Sequence, residues 1–166
     1  IEQIFGAYDT SNPDTQMFLK RLGDMAVCGE YELQFDDIKN VKEKITQAKE
    51  QLGARNVSAM MINAKPFHRA HERVIRITLE KCDLLVIFLL KPYKQDLLSY
   101  ELRLKALQYF VDNYLPKNRV VIVPFENTYL FTSYKNAVLD SICAYNFGCN
   151  KLILSRNHSG IGMYFD

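Results

Sequence analysis

Two histidines set three residues apart, His68 and His71, stand at the head of a helix-forming stretch with Lys65 and Arg69 beside them. On a helix that spacing puts both imidazoles on one face, where they can grip the same group. Ahead of them the apolar run Met60-Met61-Ile62 ends in Asn63-Ala64-Lys65, and Pro66 reads as the residue that opens the helix. A helix N-terminus exposes free N–H groups and carries partial positive charge, so it favours an anion. Two histidines, an arginine and a lysine at such an end suit phosphate. A second polar cluster, Ser155-Arg156-Asn157-His158-Ser159-Gly160-Ile161-Gly162, follows the last apolar segment. Arg156 and His158 offer donors, and Gly160 and Gly162 let backbone approach a ligand closely. No protein-bound metal is expected: two histidines at this spacing need further ligands, and His158 is the only other histidine.

The elements that must position these residues follow from hydrophobic periodicity. Asn12-Pro13 reads as an N-cap followed by proline, opening a short helix that Gly23 stops, and Met25 to Leu33 as a strand broken at Gly29. Ile38, Val41, Ile45, Ala48 and Leu52 recur at three and four, which predicts an amphipathic helix closed by Gly53. Val57 to Ile62 reads as a strand. In the helix after it, Phe67, Ala70, Val74 and Ile77 form an apolar stripe that leaves the histidines beside the core face. Leu84 to Leu90 is apolar throughout, as in a central strand covered on both faces. A long helix marked by Leu97, Tyr100, Leu104, Leu107, Val111 and Tyr114 follows, on which Glu101 and Arg103 need no functional explanation. Arg119 to Phe125 is a further strand, Ser133 to Phe147 a helix closed by Gly148, and Lys151 to Leu154 a last strand. This alternation predicts an α/β fold, an open doubly wound parallel sheet with helices on both faces. Ligands in such sheets bind beyond the carboxyl ends of the strands, at a switch in strand order. Both polar clusters fall at such ends.

The totals narrow the class. A chain of 166 residues, 48% hydrophobic, suffices for one well-buried domain. Residues 1–35 read as a linker or the edge of a preceding domain, and residues 36–166 as the functional domain. A net charge of +2 gives no basic stripe for nucleic acid. The longest apolar run falls far short of the roughly 18 residues needed to cross a bilayer. Cys28, Cys82, Cys143 and Cys149 form no C-x-x-C pair and read as reduced thiols of a cytoplasmic protein. The chain starts at Ile1 without a methionine or signal peptide and reads as a piece of a longer protein.

Pro66-Phe67-His68-Arg69-Ala70-His71-Glu72 resembles the P-x-H-R-A-H-E of ATP sulfurylases, within the H-x-x-H nucleotidyltransferases. Ser155 to Gly160 resembles that family's G-R-D-H-A-G loop, and Asn146-Phe147-Gly148-Cys149 its N-Y-G-C. Ile4-Phe5-Gly6 with Asp9 and Pro13 resembles its V-F-G-T-x-D-x-x-H-P. The motifs occur in the family's order across nearly the whole chain. The resemblance implies a Rossmann-like nucleotidyltransferase fold and transfer of an adenylyl group from ATP to sulfate, releasing pyrophosphate. It implies that His68 and His71, with Asn63 and Lys65, act at the reacting phosphates. Pro66, Phe67, Arg69, Ser155, Arg156, Asn157 and His158 would line the nucleotide pocket. A neighbouring polyphosphate would favour the protonated, donating form of the histidines. Magnesium would arrive with ATP, held by phosphates and water. Self-association is implied as well; nucleic-acid and membrane partners are not.

The chain also departs from the family. Ile62-Asn63-Ala64-Lys65 stands where the family has Q-T-R-N, so an amide has become apolar and a guanidinium a methyl. Removing the arginine fork removes the natural sulfate clamp, and Lys65 supplies charge from a different reach. Asn157 replaces an aspartate. Phe131 to Ala137 replaces Y-A-G-P-R-E-A, with Lys135 for arginine. Lys65, Ser159 and Lys135 are therefore the acceptor-side candidates. The alternatives are a degenerate nucleotide-binding domain without catalysis, and a transferase acting on a phosphate-containing acceptor.

Overall fold

The computed structural model describes residues 11–22, 24, 29–30, 36–91, 98–126, 134–155 and 158. Helix α1 spans Pro13–Leu22, with Pro13 at its first position, as its sequence predicts. Of the strand expected between Met25 and Leu33 only Gly29 and Glu30 are described, and neither is in a strand; the rest lies outside the described residues, as do the motif at residues 4–9 and the resemblance segment at residues 131–133. Helix α2 covers Asp36–Leu52 and ends where Gly53 takes φ +60°, a left-handed cap that glycine adopts without steric cost. Then come β1 (Val57–Ile62), α3 (Arg69–Leu79), β2 (Leu84–Leu90), α4 (Tyr100–Tyr114), β3 (Val120–Phe125), α5 (Tyr134–Asn146) and β4 (Lys151–Ile153).

The four strands form one parallel sheet in the order β3-β2-β1-β4. Met60 lies level with Ile87 on one side and Ile153 on the other. Every residue of β1 and β2 is buried, because helices cover both faces and leave no polar side to alternate with. Met60, Ile62, Leu85, Ile87, Leu89 and Ile122 face α3 and α4, meeting Ile75, Leu79, Leu107, Phe110 and Val111. Val57, Ala59, Met61, Val86, Phe88 and Val123 face the opposite way, onto Ile45 of α2 and Ala144 of α5. Phe88 is the largest of the fully buried side chains and packs edge-on to Phe125. Burial of one such ring is worth about 1.5–3 kcal/mol. β3 is at the edge of the sheet among the described residues, which is why Pro124 is tolerated there.

Chain direction makes the functional feature. From β1 to β2 to β3 the chain steps outward with α3 and α4 on one face. It then returns through α5 on the other face to place β4 against the far side of β1. Strand order therefore switches between β1 and β4, opening a crevice at their carboxyl ends.

Two sequence expectations are corrected here. The helix after β1 begins at Arg69 rather than at Pro66, because His68 takes the N-cap. The buried face of α3 carries Ile75, Thr78 and Leu79, while Val74 and Ile77 are 36% and 42% exposed. Ala70 is also exposed, so the stripe Phe67-Ala70-Val74-Ile77 is not the core face. The face that packs on the sheet runs through His71, one turn before Ile75. At the head of the long helix, Ser99 is the N-cap: its hydroxyl accepts the Leu102 N–H at 3.2 Å.

Candidate functional site

A cleft of about 490 Å³ lies at the β1/β4 switch. Its floor is the end of β1, from Met60 through Asn63, Ala64 and Lys65 to Pro66. His68 and His71 form one wall; Asn136, Asp140, Ser155 and His158 form the other.

The two histidines hold the helix end and each other. His68 Nδ1 accepts the N–H of Ala70 at 3.2 Å, and His71 Nδ1 accepts the N–H of His68 at 3.3 Å. This is a capping box made of imidazoles, each satisfying a donor that the helix start would otherwise leave open. Both Nδ1 atoms are thereby acceptors, so the ring proton of each neutral imidazole sits on Nε2. Two Nε2–H donors result without either ring being charged. The rings lie 4.0 Å apart between centroids. His71 also stacks on Phe67 at 5.7 Å, and Phe67 packs on Phe110 of α4 at 5.0 Å. Burial lowers the pKa of His71 below the ordinary 6.5, and the neighbouring His68 adds to the shift. An anion bound beside the ring would oppose both effects.

The opposite wall carries a charge-assisted pair. His158 Nε2 lies 3.0 Å from Asp140 Oδ2, and both side chains are almost fully buried. His158 N–H donates to Ser155 O at 3.1 Å. Asn136, Ala137, Asp140 and Ala144 are the buried positions of α5, so Asp140 sits on that helix's inward face. At the other end of the sheet Asn150 ties the amino ends of β1 and β4: its Oδ1 accepts the Val57 N–H at 3.0 Å and its Nδ2 donates to Arg55 O at 2.6 Å. That side chain extends the β1–β4 pairing.

The expected site residues are distributed as follows. Asn63, Lys65, Pro66, His68, His71, Ser155 and His158 all line the one cleft. Phe67 does not; its ring lies under His71 against α4. Arg69 is exposed outside the cleft, and Lys135 is half-buried next to the lining residue Asn136. Arg156, Asn157 and Ser159 lie outside the described residues. Ile62 and Ala64 border the floor with buried apolar side chains. Ala64 holds φ +50°, a left-handed conformation uncommon for a residue with a Cβ.

Asp140 and Asn136 escaped the sequence reading, and Arg103 was read there as needing no functional explanation. Each carried a signal: a polar group on the apolar stripe of its helix. Arg103 shares a face with Leu107, and Asp140 one with Ala137 and Ala144. Among the described residues there is no group of three or more His, Cys, Asp or Glu able to hold a metal. No described helix is long and apolar enough to cross a membrane.

The ATP-sulfurylase family model matches residues 36–166. A sulfate adenylyltransferase of Psychrobacter arcticus is 26% identical over 172 positions, covering 99% of this chain and 41% of that protein. One from Thiobacillus denitrificans is 34% identical over 122 positions, covering 72% of this chain and 30% of that protein. The chain thus spans less than half the length of these relatives. Among solved structures, a bifunctional NMN adenylyltransferase/ADP ribose pyrophosphatase of Francisella tularensis, complexed with AMP and a Mn ion, aligns with TM-score 0.43 and 19% identity. The alignment covers 55% of this chain and 27% of that one. With the family model spanning everything from α2 onward and the paired motifs meeting in one cleft, this chain belongs to the ATP-sulfurylase family.

Proposed function

We propose that the parent protein is a nucleotidyltransferase of ATP-sulfurylase type that binds ATP in the β1/β4 cleft and transfers its adenylyl group to an oxyanion. One observation carries this: His68 and His71 turn their Nδ1 atoms into the helix cap, leaving paired Nε2–H donors in a cleft at the switch point. In the reaction an acceptor oxygen forms a bond to the α-phosphorus while the bond from that phosphorus to the bridging oxygen breaks. The electron pair leaves with pyrophosphate. No protein group need form a covalent bond, so positioning and charge stabilisation carry the rate. His68 and His71 would donate to phosphate oxygens as negative charge moves toward the leaving group. The Asp140–His158 wall would hold the nucleotide from the other side, and the family resemblance adds Arg156 and Asn157 to the nucleotide contacts. Lys65 and Ser159 would meet the acceptor, with Lys135 nearby.

Magnesium belongs to the substrate in this reading. The described cleft offers a single carboxylate, Asp140, already committed to His158, so the ion would enter with ATP on phosphate and water ligands. Action in the cytoplasm fits the free thiols of Cys82, Cys143 and Cys149. Self-association is part of the same proposal, through the family.

A second reading has its own support. Ile62 and Ala64 present buried apolar groups at the floor where an acceptor would need ligands. That favours either a phosphate-containing acceptor held by Lys65 or a nucleotide-binding domain without turnover. The test is ATP–pyrophosphate exchange by the full-length parent with sulfate, molybdate and phosphorylated small molecules in turn. Exchange with any one supports the enzyme and identifies the acceptor. ATP binding without exchange leaves the non-catalytic reading, and absence of ATP binding removes both.

A further inference from the structure

Arg103 is the most deeply buried charge in the described structure, at 2% exposure, and lies behind the floor of the cleft rather than on its wall. Its Nη1 donates to two carbonyls, Asn63 O at 2.5 Å and Leu90 O at 3.0 Å. Asn63 is the first residue past β1 and Leu90 the last of β2, and both line the cleft. One guanidinium nitrogen thus ties together the carboxyl ends of the two central strands. The group lies over the Tyr100 ring at 5.8 Å. Nε and Nη2 are buried without a hydrogen-bond partner among the described residues.

A guanidinium stays charged wherever it is placed, and burying a charge is costly unless something compensates it. Two carbonyl dipoles compensate in part. The charge sits against the carbonyl of Asn63, the first residue of the turn Asn63-Ala64-Lys65, whose Ala64 is itself 1% exposed in a left-handed conformation. Lys65 adds a second positive charge on the open side of the same turn.

We propose that Arg103 is a positioning residue for the acceptor side of the cleft. It clamps the ends of β1 and β2 so that the turn is presented, and its charge favours a tetrahedral oxyanion of sulfate or phosphate type there. Calling this the acceptor side rests on the nucleotidyl-transfer reading; the preference for an anion at the turn does not.

The experiment titrates sulfate and orthophosphate against the full-length parent with α,β-methylene-ATP present, so that the histidine side is occupied. ATP-Mg affinity is measured alongside. Arg103→Met is expected to weaken the preferred oxyanion about tenfold or more while ATP-Mg affinity stays within about twofold. Arg103→Lys, which restores charge and donors, is expected to recover most of that loss, whereas Arg103→Gln, which restores donors alone, is not; a purely structural clamp would be restored by both. Should Arg103→Met not fold, Arg103→Gln keeps carbonyl-directed donors without charge and carries the same expectation. Unchanged oxyanion affinity, an equal loss of oxyanion and nucleotide, or failure of Arg103→Lys to recover binding overturns the proposal. Wild type that binds ATP-Mg but neither oxyanion overturns it too, with the nucleotide reading intact. Oxyanion binding that depends on Arg103 in a protein that binds no ATP supports it and removes the nucleotidyltransferase reading instead.

Discussion

The imidazole of His71 reaches back one turn to accept the backbone N–H of His68 at 3.3 Å, while His68 caps the helix in front of it. The residues proposed to meet phosphate are also the residues that cap the start of the helix. Cap and ligand role can be separated by substitution. Asparagine and serine cap helices well and carry no imidazole. His68→Asn is therefore expected to keep stability within about 0.5 kcal/mol while weakening ATP-Mg about tenfold. His68→Ala loses the cap as well, about 1 kcal/mol. Urea unfolding and equilibrium ATP titration of the two variants check both halves.

The lowered pKa of His71 makes stability depend on pH in a defined direction. The folded state holds this proton less tightly than the unfolded chain, whose histidine titrates near 6.5. The contribution is complete above the unfolded value and is lost as pH falls through the lower folded value. The urea midpoint should therefore decline on acidification below about pH 6.5, and His71→Gln should flatten that decline. Saturating ATP should oppose the same decline, because polyphosphate favours the protonated ring. A midpoint of equal slope in wild type and His71→Gln would refute the assignment.

Asp140→Ala should be felt in both the fold and the cleft. It removes the carboxylate partner of the buried His158 Nε2. The expected cost is about 1–3 kcal/mol. Nucleotide affinity should fall several-fold, since His158 and Asp140 both border the cleft. Thermal unfolding and ATP titration of one variant read out the two effects.

Thiol labelling should follow burial. Burial pushes the Cys149 thiol up to about 12, with Lys49 opposing weakly, so it holds almost no thiolate at neutral pH. Cys143 is raised too, by burial and by the nearby Asp140, but is only half-buried. Site-resolved labelling with a maleimide should modify Cys143 before Cys149, and Cys149 only at the rate of unfolding. Early labelling of Cys149 would contradict its packing against the sheet.

Much of the architecture was legible because its causes are local. The apolar run Leu84–Leu90 is too continuous for a half-exposed strand, and it is one of the two strands with neighbours on both sides. Gly53 and Gly148 both take positive φ at the helix ends where they were expected. The paired histidines were legible as a helix-start cluster, but not which of them caps the helix. Pro66 suits a first helical position by its own φ, yet His68 ends the competition by accepting the Ala70 N–H. The buried face of α3 was misread because two apolar stripes coexist on that helix. Only its docking on β1 and β2 decides that Ile75 and Leu79 go in while Val74 and Ile77 stay out.

By itself the sequence determined the strand and helix pattern, the parallel α/β class and the two polar clusters, since periodicity and turn chemistry act over a few residues. Tertiary structure alone decided what those clusters face. His158 and Asp140 meet across 18 residues because β4 returns to pair with β1. Arg103 reaches Asn63 across 40 residues because α4 lies over the strand ends. A charged residue on an apolar stripe reads the same whether it is headed for solvent or for the core. Which it becomes depends on what packs over it, and that is settled only when distant segments meet.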